Sequence, residues 1–200
     1  FDCGADVIPL GNHSFAQRSI CDYLDDGDPI IRPHNLAPQL AGTGFCHVDY
    51  NGVDIWVINL LGRLNMDFRT SDPFETADRL LKQEKADIFL VDFHAEATSE
   101  KKALGYFLDG RVSAVWGTHT HVQTADERIL PQGTGFLTDV GMTGAQESVI
   151  GVKYQSVSYF RGELGPRFES SDLDCALLGA IFDIDEKTGR CQKVQRVNIR

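Results

Sequence analysis

The chain has 200 residues, with 19 lysines and arginines against 29 aspartates and glutamates and a formal net charge of −10. An acidic chain without a basic patch is a poor nonspecific ligand for long nucleic acid. No apolar run approaches the roughly 20 residues of a membrane span, so one domain with an ordinary core is expected.

In chain order, Val7–Leu10 reads as a short buried strand, too short for a secretory apolar region. Ser14 is placed to cap a helix running to about Leu24, with Phe15, Ile20, Tyr23 and Leu24 near helical spacing. Gly44–Tyr50 and Val53–Leu61 read as strands joined by Asn51-Gly52, a strong hairpin signal. A helix is predicted over Glu75–Lys85 and an apolar strand over Ile88–Phe93. Ser99 is placed to cap a helix to Leu108, ended by Asp109-Gly110. Val112–Trp116 and Gly135–Val140 read as further strands. Ala176–Ile184 and Gln192–Ile199 pair across Glu186-Lys187-Thr188-Gly189. Strand–helix alternation in the middle with hairpins on both sides predicts layered α/β rather than a parallel dinucleotide-binding sheet. No G-x-G-x-x-G or Walker A loop is present. Gly133-Thr134-Gly135 lacks the third glycine and the helix.

Chemistry concentrates at three strand ends. Gly11-Asn12-His13 follows the first strand, His94 ends the Ile88–Phe93 run, and Gly117-Thr118-His119-Thr120-His121 follows the Val112–Trp116 strand. Sites in α/β folds gather outside the carboxyl ends of strands, and imidazole is the commonest metal ligand near neutral pH. Two residues apart in extended backbone, His119 and His121 would face one cleft. Each motif alone has a structural reading as loop or core histidine. Their recurrence points to a metal site.

These motifs resemble the ordered ligand motifs of the calcineurin-like metallophosphoesterases. At a finer level, Asp92–Lys101, Gly117–Asp126 and Thr138–Gly144 resemble the YmdB-like 2′,3′-cyclic nucleotide phosphodiesterases of bacteria. Arg32-Pro33, Asn35, Asn59-Leu60 and Gly62-Arg63 fit the same pattern, which spans essentially the whole chain. The resemblance implies a calcineurin-like four-layer α/β sandwich, two mixed β-sheets flanked by helices. It implies a single domain over residues 1–200 and assembly into homo-oligomers. It implies two divalent metal ions, iron or manganese, with zinc also compatible. Asn12, His94 and His119 would bind one ion and His121 the other. His13 would be the general acid that protonates the departing oxygen after hydroxide attack on phosphorus. The implied partner is a small phosphodiester such as a cyclic nucleotide, with no long nucleic acid and no membrane. Two departures from the pattern stand out. The metal-binding aspartate and bridging carboxylate that the superfamily carries before its Asn-His motif have no counterpart here, so an N-terminal metal-binding segment is expected to be missing. Ser14 also stands where an acidic residue commonly orients the histidine.

Other residues carry weaker signals. Glu96 is either a partner behind a ligand or a backbone cap. Asp139 is a candidate for supporting the site or the substrate, and Arg63 for meeting a phosphate. His34 and His47 are expected to be structural, Trp56 and Trp116 core, and Lys101-Lys102 a solvated helix face. The five cysteines, Cys3, Cys21, Cys46, Cys175 and Cys191, form no C-x-x-C pair. They are expected to be free, buried thiols in a reducing cytoplasm. Two other readings stay open: a catalytically inactive scaffold of the same fold, and a relative acting on a phosphomonoester or cell-wall polymer.

Overall fold

The computed structural model describes residues 1–163 and 168–200. The chain opens with a two-residue strand β1 (Ile8–Pro9), a short helix α1 (Ile20–Asp25) and β2 (Ile30–Ile31), which pairs parallel with β1. The hairpin β3 (Phe45–Tyr50) and β4 (Val53–Leu61) turns at Asn51 and Gly52, with φ +54 and +86. Two consecutive positive φ values define the tight turn whose twist matches flanking strands. Helix α2 (Pro73–Gln83) starts at Asp72, whose carboxylate accepts from the backbone N–H of Phe74 and Glu75, and Pro73 fills the first turn, where no N–H is needed. Then come β5 (Ile88–His94), α3 (Thr98–Leu108), β6 (Ala114–Thr118), β7 (Arg128–Ile129), β8 (Gly135–Leu137) and β9 (Gly144–Ala145). A single-turn helix α4 (Val157–Phe160) precedes the long hairpin β10 (Cys175–Ile184) and β11 (Cys191–Ile199).

The fold is mixed α/β. Six strands form one mixed sheet in the order β3-β4-β5-β6-β8-β7, with β4, β5, β6 and β8 parallel and β3 and β7 antiparallel at the edges. The second sheet, β11-β10-β9, is antiparallel. Strand β4 is buried from Trp56 to Leu61, as a central strand covered on both faces must be. On one face, Ile58, Leu60, Val91, Phe93 and Val115 pack against Ala77 and Leu80 of α2 and Leu104 and Leu108 of α3. On the other, Trp116 meets Phe182 of β10 with ring centroids 5.9 Å apart. A Cβ on Gly135 would lie 2.7 Å from both Phe182 and the Cys191 sulfur, so glycine permits this close sheet-on-sheet approach. Gln123 ties the layers, its Nε2 donating to the carbonyls of Gly179 and Val197 at 3.0 and 2.9 Å. Among the described residues no helix is long and apolar enough to cross a membrane.

Several expectations are corrected. No helix starts at Ser14, because its hydroxyl donates back to the Gly11 carbonyl and closes a turn; helix begins at Ile20. Ser99 lies inside the first turn of α3, which begins after Ala97 with no side-chain cap. The strand expected over Gly135–Val140 stops at Leu137, and β6 extends two residues past Trp116. The cysteines are free as expected, but Cys191 is the buried one; Cys3 and Cys175 are exposed and Cys21 and Cys46 half-buried. Lys101 is not solvated. It is 1 % exposed.

Candidate active site

Parallel pairing of β4, β5 and β6 brings Leu61, His94 and Thr118 side by side at the carboxyl edge of the sheet. The turn after β1 packs onto this edge. A Cβ on Gly11 would fall 2.3 Å from the His94 ring, so glycine lets the backbone lie flush on that imidazole. Asn12 Oδ1 then stands 3.0 Å from His94 Nε2. From the other side, His119 Nδ1 stands 3.1 Å from the same His94 nitrogen. The motifs at the three strand ends therefore meet, through Asn12, His94 and His119.

The backbone of Gly117–His121 is held closely. A Cβ on Gly117 would lie 1.8 Å from the Thr138 carbonyl, which makes glycine obligatory there. The extended reading of His119 and His121 is corrected: their φ values are +99 and +65, in the left-handed region that costs a branched or bulky side chain energy. Asp139 supports this turn. Its Oδ2 accepts from the Thr120 hydroxyl at 2.7 Å and from the Thr120 N–H at 3.2 Å, and its Oδ1 accepts from the Gly141 N–H at 2.9 Å. Lys101 Nζ completes the Asp139 shell at 2.7 Å, with both side chains 1 % exposed.

Electrostatics favour neutral imidazoles. Burial, helped by the neighbouring His119 and Lys101, pushes His94 down to about 4. Burial also lowers His119, against the opposing pull of Glu96, whose Oε2 lies 3.1 Å from His119 Nε2. Glu96 is thus a partner of the histidine rather than a backbone cap. Behind His94, Thr118 Oγ1 lies 3.0 Å from His94 Nδ1 and 2.9 Å from Asp92 Oδ1. Burial pushes the Asp92 carboxyl up to about 7.

The donor set fits a metal ion. If His94 carries its proton on Nδ1, toward Thr118, and His119 on Nε2, toward Glu96, the facing nitrogens present lone pairs, and so does Asn12 Oδ1. Three lone pairs converging in a half-buried site repel unless a cation lies between them. Two donors each about 2.1 Å from one ion and at right angles lie about 3.0 Å apart, close to the separations seen. Among the described residues no three His, Cys, Asp or Glu side chains gather as a metal site; the third candidate donor beside His94 and His119 is the amide oxygen of Asn12.

Two of the five sequence-predicted site residues are not drawn into this cluster. His121 is exposed and, among the described residues, shares no hydrogen bond with His94 or His119. His13 is exposed in the turn, and Ser14 bonds the Gly11 carbonyl rather than the His13 ring. Arg63 sits at the rim of a separate cavity of about 560 Å³, 3.5 Å from Asp72. Its loop is fixed by Glu100, which accepts from the N–H groups of Arg63 and Leu64 at 2.9 and 3.2 Å. Arg32 and Asn35 are buried and bond backbone carbonyls, so they shape the loop over β4. His34 is half-buried against Phe45, and His47 bonds Asp54 within the hairpin, both structural as expected.

The model of the YmdB-like protein family matches residues 1–197. The chain belongs to the YmdB-like family. It is 44 % identical over 199 residues to the 2′,3′-cyclic-nucleotide 2′-phosphodiesterase of Bacillus subtilis (strain 168), covering 98 % of this chain and 75 % of that one. A crystal structure of a hypothetical protein from Thermus thermophilus superposes with a TM-score of 0.91 at 39 % identity, covering 98 % of this chain and 77 % of that chain. A structure described as a novel phosphatase from Mycoplasma pneumoniae superposes with a TM-score of 0.90 at 36 % identity, covering 99 % and 73 %. The family match runs from before β1 into β11 and includes every strand end that carries the site.

Proposed function

We propose that this YmdB-like chain is a metal-dependent phosphodiesterase acting on 2′,3′-cyclic nucleotides. The observation that carries the reading is the convergence of Asn12 Oδ1 and His119 Nδ1 on His94 Nε2, at 3.0 and 3.1 Å. The name of the Bacillus subtilis relative supports the substrate class. Asn12, His94 and His119 would hold one ion, with His121 available to a second; iron or manganese suits this set of nitrogen and amide-oxygen donors. When bound, such ions supply Lewis-acid charge against a phosphate ester and acidify water.

The chain's own residues do the rest. The depressed pKa values keep His94 and His119 neutral at pH 7, so their lone pairs are free without loss of a proton. Glu96 orients His119, and Asp139 with Lys101 holds the turn between His119 and His121. His13, exposed next to Asn12, protonates the ribose oxygen as it leaves, because an alkoxide is a poor leaving group without a proton. The net charge of −10 does not attract an anionic substrate, so the positive charge that meets it would come from the bound ions.

The test is hydrolysis of 2′,3′-cyclic AMP, bis-p-nitrophenyl phosphate and p-nitrophenyl phosphate after reconstitution with Fe²⁺ or Mn²⁺. Turnover of the two diesters that is lost with chelator is expected. Turnover of the monoester alone, or rates indifferent to chelator, would contradict the reading.

A further inference from the structure

Asp92 is a buried carboxyl that, among the described residues, forms no ion pair and feels the Lys101 charge only at a distance. It is 4 % exposed, and among the described residues its side chain has one hydrogen bond, from the Thr118 hydroxyl at 2.9 Å. Burying such a group with one neutral partner costs stability that an apolar residue would not. Phe93, one position along, shows that β5 accommodates a large apolar side chain on its other face. The fold gives no reason for the carboxyl. Its geometry does.

We propose that Thr118 and Asp92 are positioning residues that fix the tautomer and ring orientation of His94; the inference rests on reading His94 as a metal ligand. Asp92 and His94 are two apart on β5 and point to the same side of the sheet. Thr118 is the register partner of His94 on β6, so its hydroxyl bridges the two. A hydroxyl has one proton. Given to Asp92, it leaves a hydroxyl lone pair to accept Nδ1–H of His94 at 3.0 Å. The ring proton is thereby committed to Nδ1, and Nε2 keeps its lone pair toward Asn12 and His119. A threonine suits this role because its branched Cβ restricts χ1, which aims the hydroxyl. Without the relay, His94 gains from placing its proton on Nε2 and donating it to Asn12 Oδ1, which would block the metal-facing side.

The experiment is the tautomer of His94 in metal-free, ¹⁵N-histidine-labelled protein, read from long-range ¹⁵N–¹H correlations. It is paired with Mn²⁺ and Zn²⁺ affinity measured by competition with a chromophoric chelator. Wild type should show Nδ1–H, and Thr118→Ser should keep it. Thr118→Val should move the proton to Nε2 and weaken metal binding by about 10–100-fold, the range for removing the partner of a ligating histidine. Wild type with Nε2–H overturns the proposal even if Thr118→Val fails to fold. An unchanged tautomer in folded Thr118→Val also overturns it. Wild type with Nδ1–H and the expected tautomer change in Thr118→Val, but no metal bound, would support the positioning role and overturn the ligand reading.

Discussion

Lys101 Nζ lies 2.7 Å from Asp139 Oδ2 in an ion pair 38 positions apart in sequence and closed to solvent, and the same carboxylate oxygen bonds Thr120 between His119 and His121. The pair thus couples the buried stripe of α3 to the turn that carries the histidines. Removing one partner strands a charge in the interior, which typically costs about 3–5 kcal/mol.

Lys101→Met and Asp139→Asn should therefore each lower the unfolding free energy by about 3–5 kcal/mol in urea titrations. The double variant should lose clearly less than the sum, since the second substitution removes the charge that the first left unpaired. Strictly additive losses would mean the two side chains do not depend on each other.

Much of this was legible in the sequence. The apolar runs of β4, β5 and β6 located the central strands to within two residues, because buried parallel strands must be continuously apolar. Asn51-Gly52 marked the hairpin turn directly. The three strand-end motifs named Asn12, His94 and His119, which the fold brings together. The charge of Lys101 suggests a solvated face, but its position places it on the same stripe as Leu104 and Leu108, at helical spacing. The two-residue strands β1, β2, β7 and β9 are too short to show a period. The partners of Asp92 and Asp139 sit 26 and 19 positions away, at Thr118 and Thr120, and only the parallel pairing and the close approach at Gly117 reveal them. The alternating threonines around His119 were the available signal.

In metal-free protein His94 and Asp92 carry the largest opposed shifts acting on stability, and the lowered His34 and His119 add to the His94 trend. His94 is lowered to about 4, so below its unfolded value the unfolded chain binds the extra proton, and stability is lost as pH falls from about 6.5 to 4. Asp92 is raised to about 7, so its contribution is present at low pH and lost as pH rises from about 3.8 to 7. The two nearly offset between pH 4 and 6.5 in wild type. In Asp92→Asn the carboxyl contribution is gone, and unfolding free energy should rise with pH over that window. A slope no steeper in the variant than in wild type would show that Asp92 does not oppose the lowered histidines over this window.

His13→Ala should leave bound metal unchanged, because the ring stands outside the Asn12–His94–His119 cluster. Its kcat on a cyclic nucleotide should fall by about 10²–10⁴-fold, the usual worth of a general acid. The loss on bis-p-nitrophenyl phosphate should be much smaller, since p-nitrophenolate leaves without a proton. Equal losses on both substrates would assign His13 another role.

Alanine at His94 or His119 should abolish tight metal binding measured by chelator competition, since each removes one of three converging donors. Glu96→Gln should weaken it by about 10–100-fold while leaving the donors in place. Full occupancy in His94→Ala would show that the cluster is not the metal site.

The most direct measurement is an anomalous difference map from crystals of the protein equilibrated with Mn²⁺, recorded on both sides of the manganese edge. A peak is expected within bonding distance of Asn12 Oδ1, His94 Nε2 and His119 Nδ1 together. A map in which manganese binds elsewhere and the three atoms remain without a peak at their centre would contradict a metal site at these residues.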